Sequence, residues 1–166
     1  MSRFYPPDSF DSYMCLRPTF LMKVAMIFAI RHIAMILLAY SPVMQGDDFA
    51  FLKGSVSPLD VAADLPGLLL LIAWVRRHPG AHKLWRWAWR NGRLLITIAI
   101  AMNLVLLAAS DIGNLISAYF WGPREVVTVV SIFLDLSVLF YLWRATMVPE
   151  VFAEFPAPAG ENKSTK

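Results

Sequence analysis

Four apolar runs divide the chain: Phe20 to Tyr40, Leu59 to Val75, Leu94 to Ala109 and Val126 to Trp143. Each is long enough, or nearly so, to cross about 30 Å of hydrocarbon as a helix, the one open-ended structure that satisfies its own backbone there. Beyond Ala109 the third run continues into Ser110, Asp111 and Gly113, which either lengthen the helix, tilt it or form a short re-entrant turn. Turn residues fill the gaps: Pro42, Gly46, Gly54 and Pro58, then Pro79-Gly80, then Gly122-Pro123. Pro18 suits the first turn of the first helix, where its missing N–H is no loss. The pattern predicts an all-α, four-helix membrane bundle over residues 20–155, preceded by a segment 1–19 and followed by a small, polar, disordered tail from Pro156 to Lys166.

Composition agrees with the pattern. Only 16% of residues are charged and 58% are hydrophobic, whereas a soluble domain is about one quarter charged. The first run is longer than the apolar core of a secretory signal and carries Arg31 within it, so it reads as a retained span. Cys15 is the single cysteine, which excludes an intrachain disulfide and gives no metal-ligand spacing.

Charge sets the expected orientation. With four spans, the N-terminus, the second loop and the C-terminus share one side, and eleven of the Lys and Arg residues outside the spans fall there against two on the other. The positive-inside rule places that side in the cytoplasm. The second loop carries the densest part of this charge, His82 to Arg93, where Trp85, Trp87 and Trp89 alternate with Arg86, Arg90 and Arg93. Trp85 and Trp89 are four apart, as are Arg86 and Arg90. A short helix lying at the membrane surface would therefore aim those indoles at the acyl boundary and the guanidiniums at phosphates. Simple interfacial anchoring and a specific anionic-lipid pocket are both compatible with the pattern. The loop is too short and too closely tethered for nucleic-acid binding.

Charges within the spans need a partner or a role, because each costs roughly 2.5–3.5 kcal/mol on insertion scales. Arg31 and His32 lie in the first span, with Lys23 near its end. Asp60 and Asp64 lie on one face of the second, next to Pro66 and Gly67; Asn103 lies in the third; Thr128, Ser131 and Asp135 form a polar stripe in the fourth. By depth, Arg31, Asp64 and Asp135 can meet. A charge network of Arg31, Asp60, Asp64 and Asp135 would fix helix register, provide a proton or ion path, or await a counter-charge from a partner subunit. His78 and His82 are separated by Pro79-Gly80, which breaks the helix that would align them on a metal, and His32 lacks a second span histidine for haem. No phosphate loop, nucleophilic triad or HExxH motif is present, so neither a cofactor nor a catalytic residue is expected.

The segment Phe4 to Phe20, with Asp11 and Leu16-Arg17-Pro18, resembles the opening of domain-of-unknown-function family 2919, uncharacterised small bacterial inner-membrane proteins. The closing stretch Asp135 to Pro156, with Val151, Phe152, Phe155 and Pro156, is similar to that family's last span and end. The resemblance implies a four-span inner-membrane protein and brings no activity with it. It directs attention to Arg17, Pro18, Phe152 and Phe155 at the cytoplasmic surface, as a cover for the bundle's end or a docking point for a partner. A bundle without an aqueous domain must act through its lateral faces or its cytoplasmic surface. The leading expectation is a non-catalytic accessory, assembly or scaffold subunit, bound to other membrane subunits or to itself. A homo-oligomeric transporter or ion channel built on the span carboxylates is the second reading. An interfacial lipid enzyme is the third.

Overall fold

The computed structural model describes the backbone of residues 5–41, 56–117 and 122–156, and the side chains of these except 111–117 and 123–125. Among the described residues the regular elements are helical: α1 (Phe20–Phe28), α2 (Arg31–Ala39), α3 (Pro58–Val75), α4 (Lys83–Arg90), α5 (Gly92–Ser117), α6 (Pro123–Arg144) and α7 (Met147–Ala153), with one 3-10 turn at Pro7–Ser9. The expected tail from Ala157 onward lies outside the described residues, whereas Pro156 is buried.

Local chemistry explains most of the boundaries. Thr19 caps α1, its hydroxyl accepting from the Met22 N–H, so Pro18 lies just before the cap and not in the first turn. Ser57 and Asp60 form a capping box at the start of α3, with Pro58 at the first helical position. His82 caps α4 through Nδ1, which accepts from the Leu84 N–H at 3.2 Å. Gly122 precedes Pro123 at the start of α6. The third apolar run does lengthen: α5 continues as helix through Gly113 to Ser117.

Three helices, α3, α5 and α6, are long and apolar enough to cross a membrane, and the number rises to four if α1 and α2 together make one span. The first apolar run is therefore not the single straight helix expected. It breaks at Ala29-Ile30, and the two halves are bent by 70°. Their path along α3 shows that the chain advances through the bundle: Leu16 meets Arg77 just beyond the C-terminal end of α3, Ala29 meets Gly67, and His32 meets Asp64. Eighteen residues of α3 span about 27 Å, and the chain must reach its far end to begin again at Pro58. By length and composition the bent pair makes either a broken span or a re-entrant loop, and the described contacts carry it from the capped end of α3 as far as Asp64.

The opposite process closes the near end. Residues 5–19, α4 and α7 fold over the ends of α3, α5 and α6, and the cap core of Leu16, Met22, Trp89, Ile96, Val151 and Phe152 is almost completely excluded from solvent. Both described ends of the chain therefore sit at the same end of the bundle, joined where Tyr5 donates to Glu150 and the Leu16 N–H donates to Glu154.

Candidate functional site

The break in the first span creates the site. An α-helix leaves its first N–H groups without intrahelical partners, and at α2 these groups face the interior of the bundle. Position 30, where a capping side chain would stand, holds Ile30, whose side chain cannot accept a hydrogen bond. Asp64 of α3 supplies the missing acceptor from another helix. Its Oδ2 accepts from the N–H of His32 at 2.8 Å and of Ile33 at 3.1 Å, the second and third helical positions that an N-cap normally serves. Its Oδ1 lies 3.2 Å from His32 Nδ1 and accepts from Asn103 Nδ2 at 3.1 Å. The carboxylate is fully buried and meets four nitrogen donors.

Gly67 makes the approach possible. A Cβ there would lie 2.8 Å from the Ala29 carbonyl oxygen, so only glycine lets the C-cap residue of α1 settle against α3 at this height. Asp64 stands one turn away on the same face. Glycine and carboxylate together hold the two sides of the break.

Arg31 opens α2 and reaches the other way. Its Nη1 and Nη2 donate to Oδ1 and Oδ2 of Asp135 at 2.8 and 3.0 Å, a two-point pair between α2 and α6. The guanidinium carbon also lies 4.6 Å from the centre of the Phe28 ring. Asp135 is fully buried and the Arg31 side chain is 16% exposed. Two neighbouring pairs, joined through the consecutive residues Arg31 and His32, thus connect α2 with α3, α5 and α6. Asp60 stands apart, because its carboxylate accepts from the Ser57 N–H at the start of α3. One buried acceptor in the cluster, Asn103 Oδ1, has no partner among the described residues.

At the capped end the residues divide differently from the sequence reading. Trp89 is not directed at lipid. It is completely buried, its Nε1 donates to the carbonyls of Val151 and Glu154 at 3.0 and 2.8 Å, and its ring meets Phe152 edge-on at 5.2 Å. Trp85 is half-buried against the same core. Arg86 donates to the Pro79 carbonyl at 2.7 Å and lies over Phe155. Arg93 packs over the exposed Trp143 ring at 3.8 Å, and Trp143 Nε1 donates to Thr97. Trp87 and Arg90 alone of the named loop residues are exposed. Pro18 and Phe152 are buried, Phe155 is half-buried and Arg17 is exposed, so three of these four residues cover the bundle's end themselves. The steric reason is Gly92: a Cβ there would lie 2.2 Å from the Phe152 ring, which fills the space glycine leaves.

The residue that organises this cap was missed in the sequence. Arg77 is nine-tenths buried, donates to the carbonyls of Leu16 and Glu154 at 3.1 and 3.2 Å, pairs with Asp11 at 3.3 Å and lies over Trp89. Nothing local marks it, because its hydrogen-bonding and ion-pair partners lie more than sixty positions away in either direction.

A family model described as a protein of unknown function, DUF2919, matches residues 5–154. The chain belongs to this family. The DUF2919 match begins at the tyrosine that donates to Glu150 and ends at the glutamate that accepts from Leu16, so it takes in the bundle and its cap together. No curated protein and no solved structure matches the chain.

Proposed function

We propose that this DUF2919 protein is a non-catalytic accessory, assembly or scaffold subunit of a larger membrane complex. We place it in the bacterial inner membrane, with the capped end and both termini in the cytoplasm. The observation that carries the reading is the closure of the interior charges on one another: Asp135 on Arg31, and Asp64 on four nitrogen donors. Groups committed in this way hold helices in register and leave little free chemistry inside. The cleft between α3 and α5, about 320 Å³, supports the same view, since Leu59, Ala62, Ala101, Met102, Val105 and Leu106 line it without a polar side chain.

What remains to act is surface. The last span is only 17% buried against 33% for α5, and it turns Val130, Phe133, Leu136 and Phe140 outward. Purification at native level in mild detergent tests the proposal. The expected result is a particle with stoichiometric additional membrane subunits, which dissociates for Phe133→Ala/Phe140→Ala while the helices remain folded. A particle containing this chain alone would sink it.

A homo-oligomeric transporter or channel is the second reading, favoured by the broken span and by the unpartnered Asn103 Oδ1 beside Asp64. Flux through reconstituted vesicles that Asp135→Asn or Asp64→Asn abolishes would establish it.

A further inference from the structure

We propose that the outward face of α4 binds the anionic phospholipid headgroups of the leaflet around the capped end. This goes beyond the subunit reading and does not depend on it. The face is not the one that the spacing of Trp85 and Trp89 suggested. Those two residues and Ala88 point inward, and Trp89 is anchored there by two carbonyls. Lys83, Trp87 and Arg90 follow at i, i+4 and i+7, within about 60° of arc on the opposite side. All three are exposed, Trp87 at 53%.

Three observations select the occupant. The first is depth: α4 lies between the end of α3 at Val75 and the start of α5 at Gly92, so it sits where two membrane-crossing helices reach the surface. The second is charge. Of the cap's carboxylates, Asp11 is engaged with Arg77, Glu150 with Tyr5 and Glu154 with the Leu16 N–H, while Asp8 is exposed on the Pro7–Ser9 turn. No carboxylate among the described residues pairs with Lys83 or Arg90. The third is chemistry: an indole between two cations, with Leu84 exposed beside it, matches the boundary of acyl chain and phosphate. The inward anchoring of Trp89 prevents the helix from rolling these cations out of reach. An acidic soluble partner would be met by the charges but would have no use for an indole at this depth.

The test uses the full chain in lipid nanodiscs containing equal amounts of phosphatidylglycerol and phosphatidylcholine, with native mass spectrometry counting the lipids retained. The wild type is expected to retain phosphatidylglycerol selectively, and the preference should weaken as salt is raised. In Lys83→Gln/Arg90→Gln it should fall by about fivefold per cation. The charge-conserving pair Lys83→Arg/Arg90→Lys should keep it, and this variant together with the salt series carries the test if the glutamine pair folds poorly. A wild type without preference, a preference indifferent to salt, or a glutamine pair that retains full selectivity would each overturn the proposal.

Discussion

Asp64 acts on the amino end of a helix to which it does not belong. Its cost of burial is offset because it meets two backbone donors and two side-chain donors at once. Asp64→Ala should therefore destabilise the protein by about 3 kcal/mol, the sum of a lost cap and buried donors left unpaired. Asp64→Asn keeps a capping oxygen and should cost about 1 kcal/mol. Denaturation in detergent checks both, and equal losses would contradict the capping role. The Arg31 pair makes a different prediction. Arg31→Leu strands a buried carboxylate and should cost about 3–5 kcal/mol, most of it recovered in Arg31→Leu/Asp135→Leu. A single mutant with unchanged thermal stability would show that the pair does not hold α2 to α6.

At the scale of elements, the two close glycine contacts differ in what stands opposite. Gly67 faces the backbone of Ala29, which cannot move without carrying α1 with it. Gly92 faces the ring of Phe152, a side chain. Gly67→Ala should cost about 1–3 kcal/mol with no rescue from any single side-chain change. Gly92→Ala should be relieved in large part by Phe152→Leu. Thermal unfolding of the single and double variants measures both, and rescue of neither or of both would mean that the contacts have been assigned wrongly. These elements were unequally legible. The starts of α3 and α6 are written in Ser57-Pro58 and Gly122-Pro123, local signals that act over one turn. The break at Ala29-Ile30 has no proline or glycine to announce it, because its cause lies in Asp64 and Gly67 on another helix.

The whole molecule is a bundle closed at one end and joined to itself there. Tyr5 and Leu16 meet Glu150 and Glu154 across almost the full length of the chain, so these two segments lie together at one end of the bundle. Charge predicts that end to lie in the cytoplasm. Reporter fusions after Lys166 and within Gly80-Ala81-His82 should both report a cytoplasmic location. A split result would contradict the paired crossing of α5 and α6 as well as the orientation. The same closure buries Phe152 of the final segment and leaves Phe155 half-buried. Phe152 and Trp89 are each other's partners.

The sequence by itself determined the number of apolar runs, their approximate limits and the helical class. These follow from hydropathy and turn residues, which act locally and can be read along the chain. The family came from the resemblance of the segments Phe4 to Phe20 and Asp135 to Pro156. The sequence also marked Arg31, Asp64 and Asp135 as needing partners, because a charge at span depth is costly wherever it lies. Only the tertiary structure decided which partner each would take: Asp135 for Arg31, and for Asp64 an orphaned helix end that no side-chain inventory contains. It likewise decided which side of the Trp-rich helix turns inward. Helical spacing places residues on a common face, but packing against the rest of the cap chooses which face is buried, and Trp89 with its two carbonyl partners makes that choice.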